Sequence, residues 1–229
     1  MIDRTSIQNS NTEVRNEDGT FAAMDGMYRF QRYFYDLTRK YYLLGRDRLI
    51  DEMEIDAGDR VLEIGCGTGR NLILLGRKRP EAKLYGLDAS SEMLVTAKEK
   101  IAKRGHDIDL RTALADDFAF DSTFGLEKPF DVVFFSYSIS MIPTWLESIE
   151  NAFNNLKPGG ALYIVDFYDQ KDLPGWFQKL LQEWLKKFHV QFWHDLMPYL
   201  KSLETRGLGV FTFTPLYRRY SFIASFKKL

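Results

Sequence analysis

From residue 27 onward the apolar positions follow two alternating rhythms. Met27, Phe30, Phe34, Leu37, Tyr41 and Leu44 recur at helical spacing, with Arg29, Arg32, Arg39 and Lys40 elsewhere on the wheel. That pattern predicts an amphipathic helix. A second helix is predicted over 46–53, ending before Asp56-Ala57-Gly58-Asp59. Short apolar runs then alternate with helical stretches. Strands are expected over 61–64, 83–87, 108–113, 130–137 and 161–167. The run that starts at Phe130 is apolar enough to be buried on both faces. Helices are expected over 71–78, 90–104 and 145–156. Ser90 or Ser91 caps the second of these, and Lys157-Pro158-Gly159-Gly160 closes the third.

The last third of the chain changes character. Over 173–188, Trp176, Phe177, Leu180, Leu181, Trp184, Leu185 and Phe188 share one helical face, while Gln178, Lys179, Lys186 and Lys187 do not. A short helix over 195–203 follows. Two β-rich runs, 210–214 and 221–226, joined by 215–220, read as a closing hairpin. Strands alternating with helices predict an α/β fold: a Rossmann-like, doubly wound, mainly parallel sheet covered on both faces. The hairpin should place an antiparallel strand at or near one edge. Three regions follow: a loose polar tail over 1–20, a helical cap over 21–54, and an α/β domain over 55–229 with a helical insertion at 173–204.

Composition narrows the classes. The 229 residues are 45% hydrophobic and 28% charged, with a formal net charge of -1, so no global basic excess argues for nucleic acid. Cys66 is the single cysteine. It makes no internal disulfide, and no Cys/His cluster has zinc-ligand spacing. The N-terminal tail lacks the apolar core of a secretory signal, and no stretch of 18 apolar residues occurs. The expected setting is the cytosol or the inner face of a membrane.

The chemistry concentrates at Val61-Leu62-Glu63-Ile64-Gly65-Cys66-Gly67-Thr68-Gly69-Arg70-Asn71. Here a strand feeds a glycine loop that opens a helix. Glycine lets a ligand approach bare backbone, and open α/β sheets bind ligands at that end. The spacing is Gly-x-Gly-x-Gly. Arg70 stands where a dinucleotide fingerprint requires its third glycine, which argues against a nicotinamide enzyme. Glu63 would repel a pyrophosphate but suits a ligand carrying an ammonium and a sulfonium. Asp88 ends the next strand, Leu84-Tyr85-Gly86-Leu87-Asp88, where a carboxylate accepts from both ribose hydroxyls. After the third strand, Ala115-Asp116-Asp117-Phe118 offers an acceptor for an adenine amine, with Phe118 or its backbone beside the base.

Together these elements, with Leu156-Lys157-Pro158-Gly159-Gly160 before the fifth strand, resemble the class I S-adenosylmethionine (SAM)-dependent methyltransferases over roughly residues 55–228. The resemblance implies SAM as cofactor and S-adenosylhomocysteine as product. It puts Glu63, Gly65, Cys66, Gly67, Thr68, Asp88, Ala89, Asp116, Asp117, Phe118 and Ser136 around the cofactor. No metal is implied.

The loop after strand four reads Phe135-Ser136-Tyr137-Ser138-Ile139-Ser140-Met141-Ile142-Pro143-Thr144-Trp145 and lacks the Asn-Pro-Pro-Tyr type motif of many nucleic-acid amino methyltransferases. Tyr137 is the candidate catalytic residue, since a ring face stabilises a developing quaternary ammonium; Tyr137 and Met141 fit equally well as walls of the methionine pocket. This segment, the run from Tyr35 to Ile50 and Tyr217-Arg218-Arg219-Tyr220 look like the betaine-lipid N-methyltransferases, which methylate diacylglyceryl-homoserine three times. A more distant likeness is to bacterial phosphatidylethanolamine N-methyltransferases. The resemblance implies a lipid headgroup amine as partner, a peripheral membrane surface, and substrate contacts at Tyr35, Arg39, Arg46 and Arg218. Arg39, Arg46, Arg218 and Arg219 suit the homoserine or the SAM carboxylate, and equally surface ion pairs. The aromatic face over 173–188 suits either core packing or an interface. His189 and His194 are further possible bases. Small-molecule methylation and a non-catalytic SAM-binding role are the alternatives.

Overall fold

The computed structural model describes residues 42–187 and 190–229. The predicted helix from Met27, the tail, Tyr35 and Arg39 therefore lie outside the described residues, as do Phe188 and His189. Among the described residues the helices are α1 (Arg46–Glu52), α2 (Arg70–Lys78), α3 (Ser91–Ala102), α4 (Trp145–Asn154), α5 (Gly175–Lys186) and α6 (Leu196–Thr205). The strands are β1 (Arg60–Ile64), β2 (Lys83–Asp88), β3 (Ile108–Thr112), β4 (Phe130–Ser136), β5 (Leu156–Phe167), β6 (Gly209–Leu216) and β7 (Ser221–Lys228). They form one seven-stranded sheet in the order β3-β2-β1-β4-β5-β7-β6. β1 to β5 pair in parallel, and β7 enters antiparallel between β5 and β6. The expected doubly wound sheet and its closing hairpin are both present.

β1 lies at the point where the chain reverses direction across the sheet, and its side chains serve both faces in turn. Val61 joins one core layer; Leu62 and Ile64 join the other. The first layer packs under α1, α2 and α3 through Leu49, Leu72, Leu94 and Ile101. The second packs under α4 and α6 through Ile149, Leu196, Leu200 and Leu203. Parallel strands covered on both faces need such two-sided burial, which explains the uninterrupted apolar run of β4.

Two segments depart from the expectation. Lys157-Pro158-Gly159-Gly160 does not separate helix from strand; β5 already starts at Leu156, opposite Phe130, and pairing resumes at Ala161 opposite Val132. The residues between bulge out of the ladder. Gly159 permits this with a φ of 75°, and a Cβ on Gly160 would stand 2.9 Å from the Asp131 carbonyl oxygen. The bulge also brings Lys157 within 2.6 Å of Asp131, which pairs with Arg60 as well.

α5 is the second departure. Of its apolar face only Leu181 and Leu185 are buried, and Trp184 packs partly against the core, edge-on to Tyr42 with ring centroids 4.7 Å apart. Trp176, Phe177 and Leu180 stand exposed.

Candidate functional site

The glycine loop is built by backbone geometry. Gly65, Gly67 and Gly69 have φ values of 72°, 54° and 75°, a region L side chains rarely adopt. At Gly65 space is also short, since a Cβ would meet Ser138 Cβ at 2.5 Å. Gly65 and Cys66 N–H donate to the Leu87 carbonyl at 2.7 and 3.0 Å, so the loop is stitched to the end of β2. Asp88 completes the stitching. One carboxylate oxygen accepts from Gly67 N–H at 2.7 Å and the other from Ser90 N–H at 2.9 Å, across the bend at Ala89.

A cavity of about 270 Å³ opens over this loop, lined in part by Arg46, Glu63, Gly65, Cys66, Thr68 and Ser136. Glu63 is buried, and Asn71 from the first turn of α2 donates to it at 2.7 Å. Arg46, also buried, enters from α1. Arg70 is turned outward onto Asp47 at 2.6 Å. Burial pushes the Cys66 thiol well above its ordinary range, with Asp88 and Glu63 adding to the effect, so it stays neutral. The Ser136 hydroxyl is buried, lines the cavity and has no hydrogen-bond partner among the described residues. This donor set fits SAM: a carboxylate for the amino group, a guanidinium for the carboxylate, bare glycine backbone and one unused hydroxyl.

The loop after β3 is fixed from α4. Asn151 donates to the Ala115 and Phe118 carbonyls at 3.3 and 3.1 Å, and Asn155 to Phe118 at 3.2 Å. Phe118 is buried in the core layer, Asp116 is half-buried and Asp117 is exposed. Asp116 is thus the carboxylate of this loop held in a defined, partly sheltered place.

Tyr137 is not among the residues that line the cavity over the glycine loop. Its φ is 56°, its ring packs edge-on against Phe167, and its hydroxyl donates to the Leu44 carbonyl at 2.5 Å. Burial pushes its phenol well above the usual range. Tyr137 joins the entry of α1 to the loop after β4 and presents no free hydroxyl. Of the predicted substrate arginines, Arg46 lies in the cofactor cavity. Arg218 is exposed on the β6–β7 turn, where Tyr217, Arg218 and Arg219 have φ values of 50°, 58° and 60°.

Residues 55–205 match the family described as "Methyltransferase domain". The chain belongs to this family. Its cofactor is SAM, and the seven-stranded sheet is the class I methyltransferase arrangement. The domain is 28% identical over 141 residues to a demethylmenaquinone methyltransferase from Listeria monocytogenes, an alignment covering 61% of this chain and 57% of that protein. It is 37% identical over 113 residues to a carboxy-S-adenosyl-L-methionine synthase from Trichodesmium erythraeum, covering 47% and 42%. The chain thus spans less than two thirds of the length of these relatives. Among solved structures, the complex of the Haloferax volcanii Trm112 methyltransferase activator with a putative methyltransferase superposes with a TM-score of 0.69 at 19% identity, covering 89% of this chain and 98% of that one. A Haemonchus contortus phosphoethanolamine N-methyltransferase 2 with bound SAM superposes at 0.65 and 15% identity, covering 80% and 52%. These superpositions concern the fold.

The methyltransferase domain has a second cavity that the sequence did not announce. It measures about 290 Å³ and opens beside the carboxyl end of β5. Asp166, Trp193, Phe222 and the Asp169–Arg219 pair line it. Arg219, not Arg218, is the arginine of the β6–β7 turn that reaches this wall; its Nε donates to Asp169 at 2.7 Å and its guanidinium lies over the Tyr168 ring at 4.6 Å. That guanidinium holds the Asp169 carboxyl down to about 2. The one legible signal for Asp166 was an acid inside the apolar run Ile164-Val165-Asp166-Phe167. Among the described residues, no group of three or more His, Cys, Asp or Glu side chains is placed to hold a metal.

Proposed function

We propose that this methyltransferase domain carries a methyl group from SAM to the amine of a lipid headgroup, diacylglyceryl-homoserine, and completes the trimethylated betaine lipid in three transfers. The observation that carries the lipid part is the outer face of α5. Trp176 is 72% exposed and Leu180 62%, with Phe177 between them and Lys179, Lys186 and Lys187 close by in sequence. Large apolar side chains left in water beside lysines are what an interfacial helix needs. The helix also joins two walls of the second cavity, since Asp169 and Lys171 precede it and residues 191–194 follow it. Among the described residues no helix is long and apolar enough to cross a membrane, so contact would be peripheral.

In this reading Asp88 holds the ribose, Asp116 the adenine amine, Glu63 the amino group and Arg46 the carboxylate of the cofactor. SAM supplies an activated methyl: the nitrogen lone pair attacks it, the carbon–sulfur bond breaks, and its electron pair stays on sulfur. The protein's own contribution is placement. Of the two roles open to Arg46, this assignment takes the cofactor, because Arg46 lines one cavity with Glu63 beside the glycine loop. A second reading, methylation of a lipid-borne ring, is favoured by the likeness to demethylmenaquinone methyltransferase; it uses the same outer face of α5.

Incubation of the full chain with SAM and lipid extracts, followed by mass spectrometry, tests the proposal. Methyl-step mass increases on a homoserine lipid are expected. Release of S-adenosylhomocysteine with quinone precursors alone would replace the first reading by the second. Absence of turnover with any lipid, together with no binding to anionic vesicles, would overturn both.

A further inference from the structure

Asp166 is 1% exposed and lines the second cavity. Its oxygens accept from two backbone donors, Ser140 N–H at 3.0 Å and Phe167 N–H at 2.7 Å. The Ser140 hydroxyl is buried nearby but lies out of hydrogen-bond geometry. No cation among the described residues pairs with Asp166. The two cations that line the same cavity, Arg219 and Lys171, are both turned onto Asp169. His194 also lines it, from an exposed position. A buried carboxylate without a counter-ion is costly and calls for one. Burial pushes its carboxyl up to about 6, against the two backbone donors and the nearby Ser140 hydroxyl.

The remaining walls are largely rings: Phe167, Tyr168, Phe192, Trp193 and Phe222. They are held in place. Trp193 donates from its indole to the Ile139 carbonyl at 2.8 Å and stacks on Trp145 at 6.1 Å, and Gln191 N–H donates to the Ser140 carbonyl at 2.8 Å. Ring faces attract cations, and organic ammonium ions most readily because their hydration is weak. The place is also suitable. The short turn Ile139–Met141 borders this cavity, while Ser136, at the start of the same loop, borders the cofactor cavity. Tyr137 N–H to the Val165 carbonyl at 2.8 Å and the Ser138 hydroxyl to the Ile64 carbonyl at 2.8 Å fasten that loop between β1 and β5.

We infer that this cavity binds the acceptor nitrogen as an organic ammonium, with Asp166 as its counter-ion and the rings of Trp193, Tyr168 and Phe222 around it. The inference rests on the methyl-transfer reading above and deepens it by assigning the residues that hold the acceptor amine. Transfer of one proton from the ammonium to Asp166 leaves a neutral nitrogen with a free lone pair and a carboxylic acid. After the nitrogen takes the methyl and becomes cationic again, Asp166 releases its proton to water. Each added methyl makes the headgroup better suited to the rings, so partly methylated products stay bound for the next transfer.

Choline and its neutral isostere 3,3-dimethylbutan-1-ol, titrated into the full chain saturated with S-adenosylhomocysteine, test this by calorimetry or NMR. Choline should bind at least tenfold more tightly than the isostere. Asp166→Asn should weaken choline at least tenfold and leave S-adenosylhomocysteine affinity unchanged; Trp193→Leu should weaken choline severalfold. The wild-type contrast needs no variant and remains decisive if Asp166→Asn fails to fold. Equal binding of the two probes, no choline binding, or an unaffected Asp166→Asn variant would overturn the inference. The lipid assay separates the two proposals. Choline binding that depends on Asp166, with no lipid methylated, sinks the lipid reading and keeps the site. Equal lipid methylation by wild type and Asp166→Asn sinks the site and keeps the lipid reading.

Discussion

Two buried carboxylates stand at the carboxyl ends of strands in opposite halves of the sheet, and their surroundings differ in an instructive way. Asp88 ends β2 and fastens two stretches of backbone, through Gly67 N–H and Ser90 N–H, beside the glycine loop. Asp166, near the end of β5, likewise accepts from two backbone donors. Its neighbours, however, are side chains gathered from the loop after β4, the segment after α5 and the β6–β7 turn. In the proposed assignment the first half holds one invariant molecule against a fixed glycine loop. The other half presents a charge and a set of rings, a surface that substitution can retune without disturbing the loop geometry.

The sharpest way to break this comparison is at Asp88. Asp88→Ala removes the ribose acceptor and the clasp on Gly67 together. SAM affinity measured by calorimetry should fall by roughly 100-fold or more, about 3 kcal/mol; unchanged affinity would refute the cofactor assignment. Asp166 offers a pH test of comparable size. Its folded pKa, about 6, lies above the ordinary value near 3.8, so the native state binds a proton that the unfolded chain has lost. Stability from this group should therefore fall as pH rises from about 4 to 6, by up to ~3 kcal/mol, and stay low above that. The difference between wild type and Asp166→Asn in urea denaturation across that window reads the effect, and a pH-independent difference would contradict it. Gly65→Ala combines positive φ with a contact at 2.5 Å and should cost about 2 kcal/mol of stability, visible as a lower melting temperature. The smallest effect belongs to α5. Trp176→Ser with Leu180→Ser should reduce partition onto anionic vesicles about tenfold, near 1.4 kcal/mol, while unfolding shifts by less than about 0.5 kcal/mol, because both side chains are exposed. A large loss of stability would mean that this face is packed rather than interfacial.

The cofactor half was legible because its physics is local. Positive φ at Gly65, Gly67 and Gly69 demands glycine, and a strand-end Asp88 lies a fixed interval beyond. Arg46 and Tyr137 were visible as residues, each with two roles open. Spacing does not show that Tyr137 turns into the core toward Leu44, nor that Arg46 and Glu63 line one cavity. Arg218 and Arg219 were both candidates, because adjacent residues of a turn are indistinguishable by composition; three consecutive positive φ values decide which one faces Asp169.

By itself, then, the amino-acid order determined the alternation of strands and helices, the doubly wound, mainly parallel sheet and the glycine loop. These follow from periodicity, from the steric freedom of glycine and from the need to bury both faces of a parallel sheet. The tertiary structure alone decided that Lys157 to Gly160 bulge within β5, that α5 keeps Trp176 and Leu180 in water, and that Asp166 faces a ring-lined cavity with both neighbouring cations turned away. Those outcomes depend on which surfaces meet across long sequence separations, such as Gln191 on Ser140 and Arg219 on Asp169, and no local pattern carries that information.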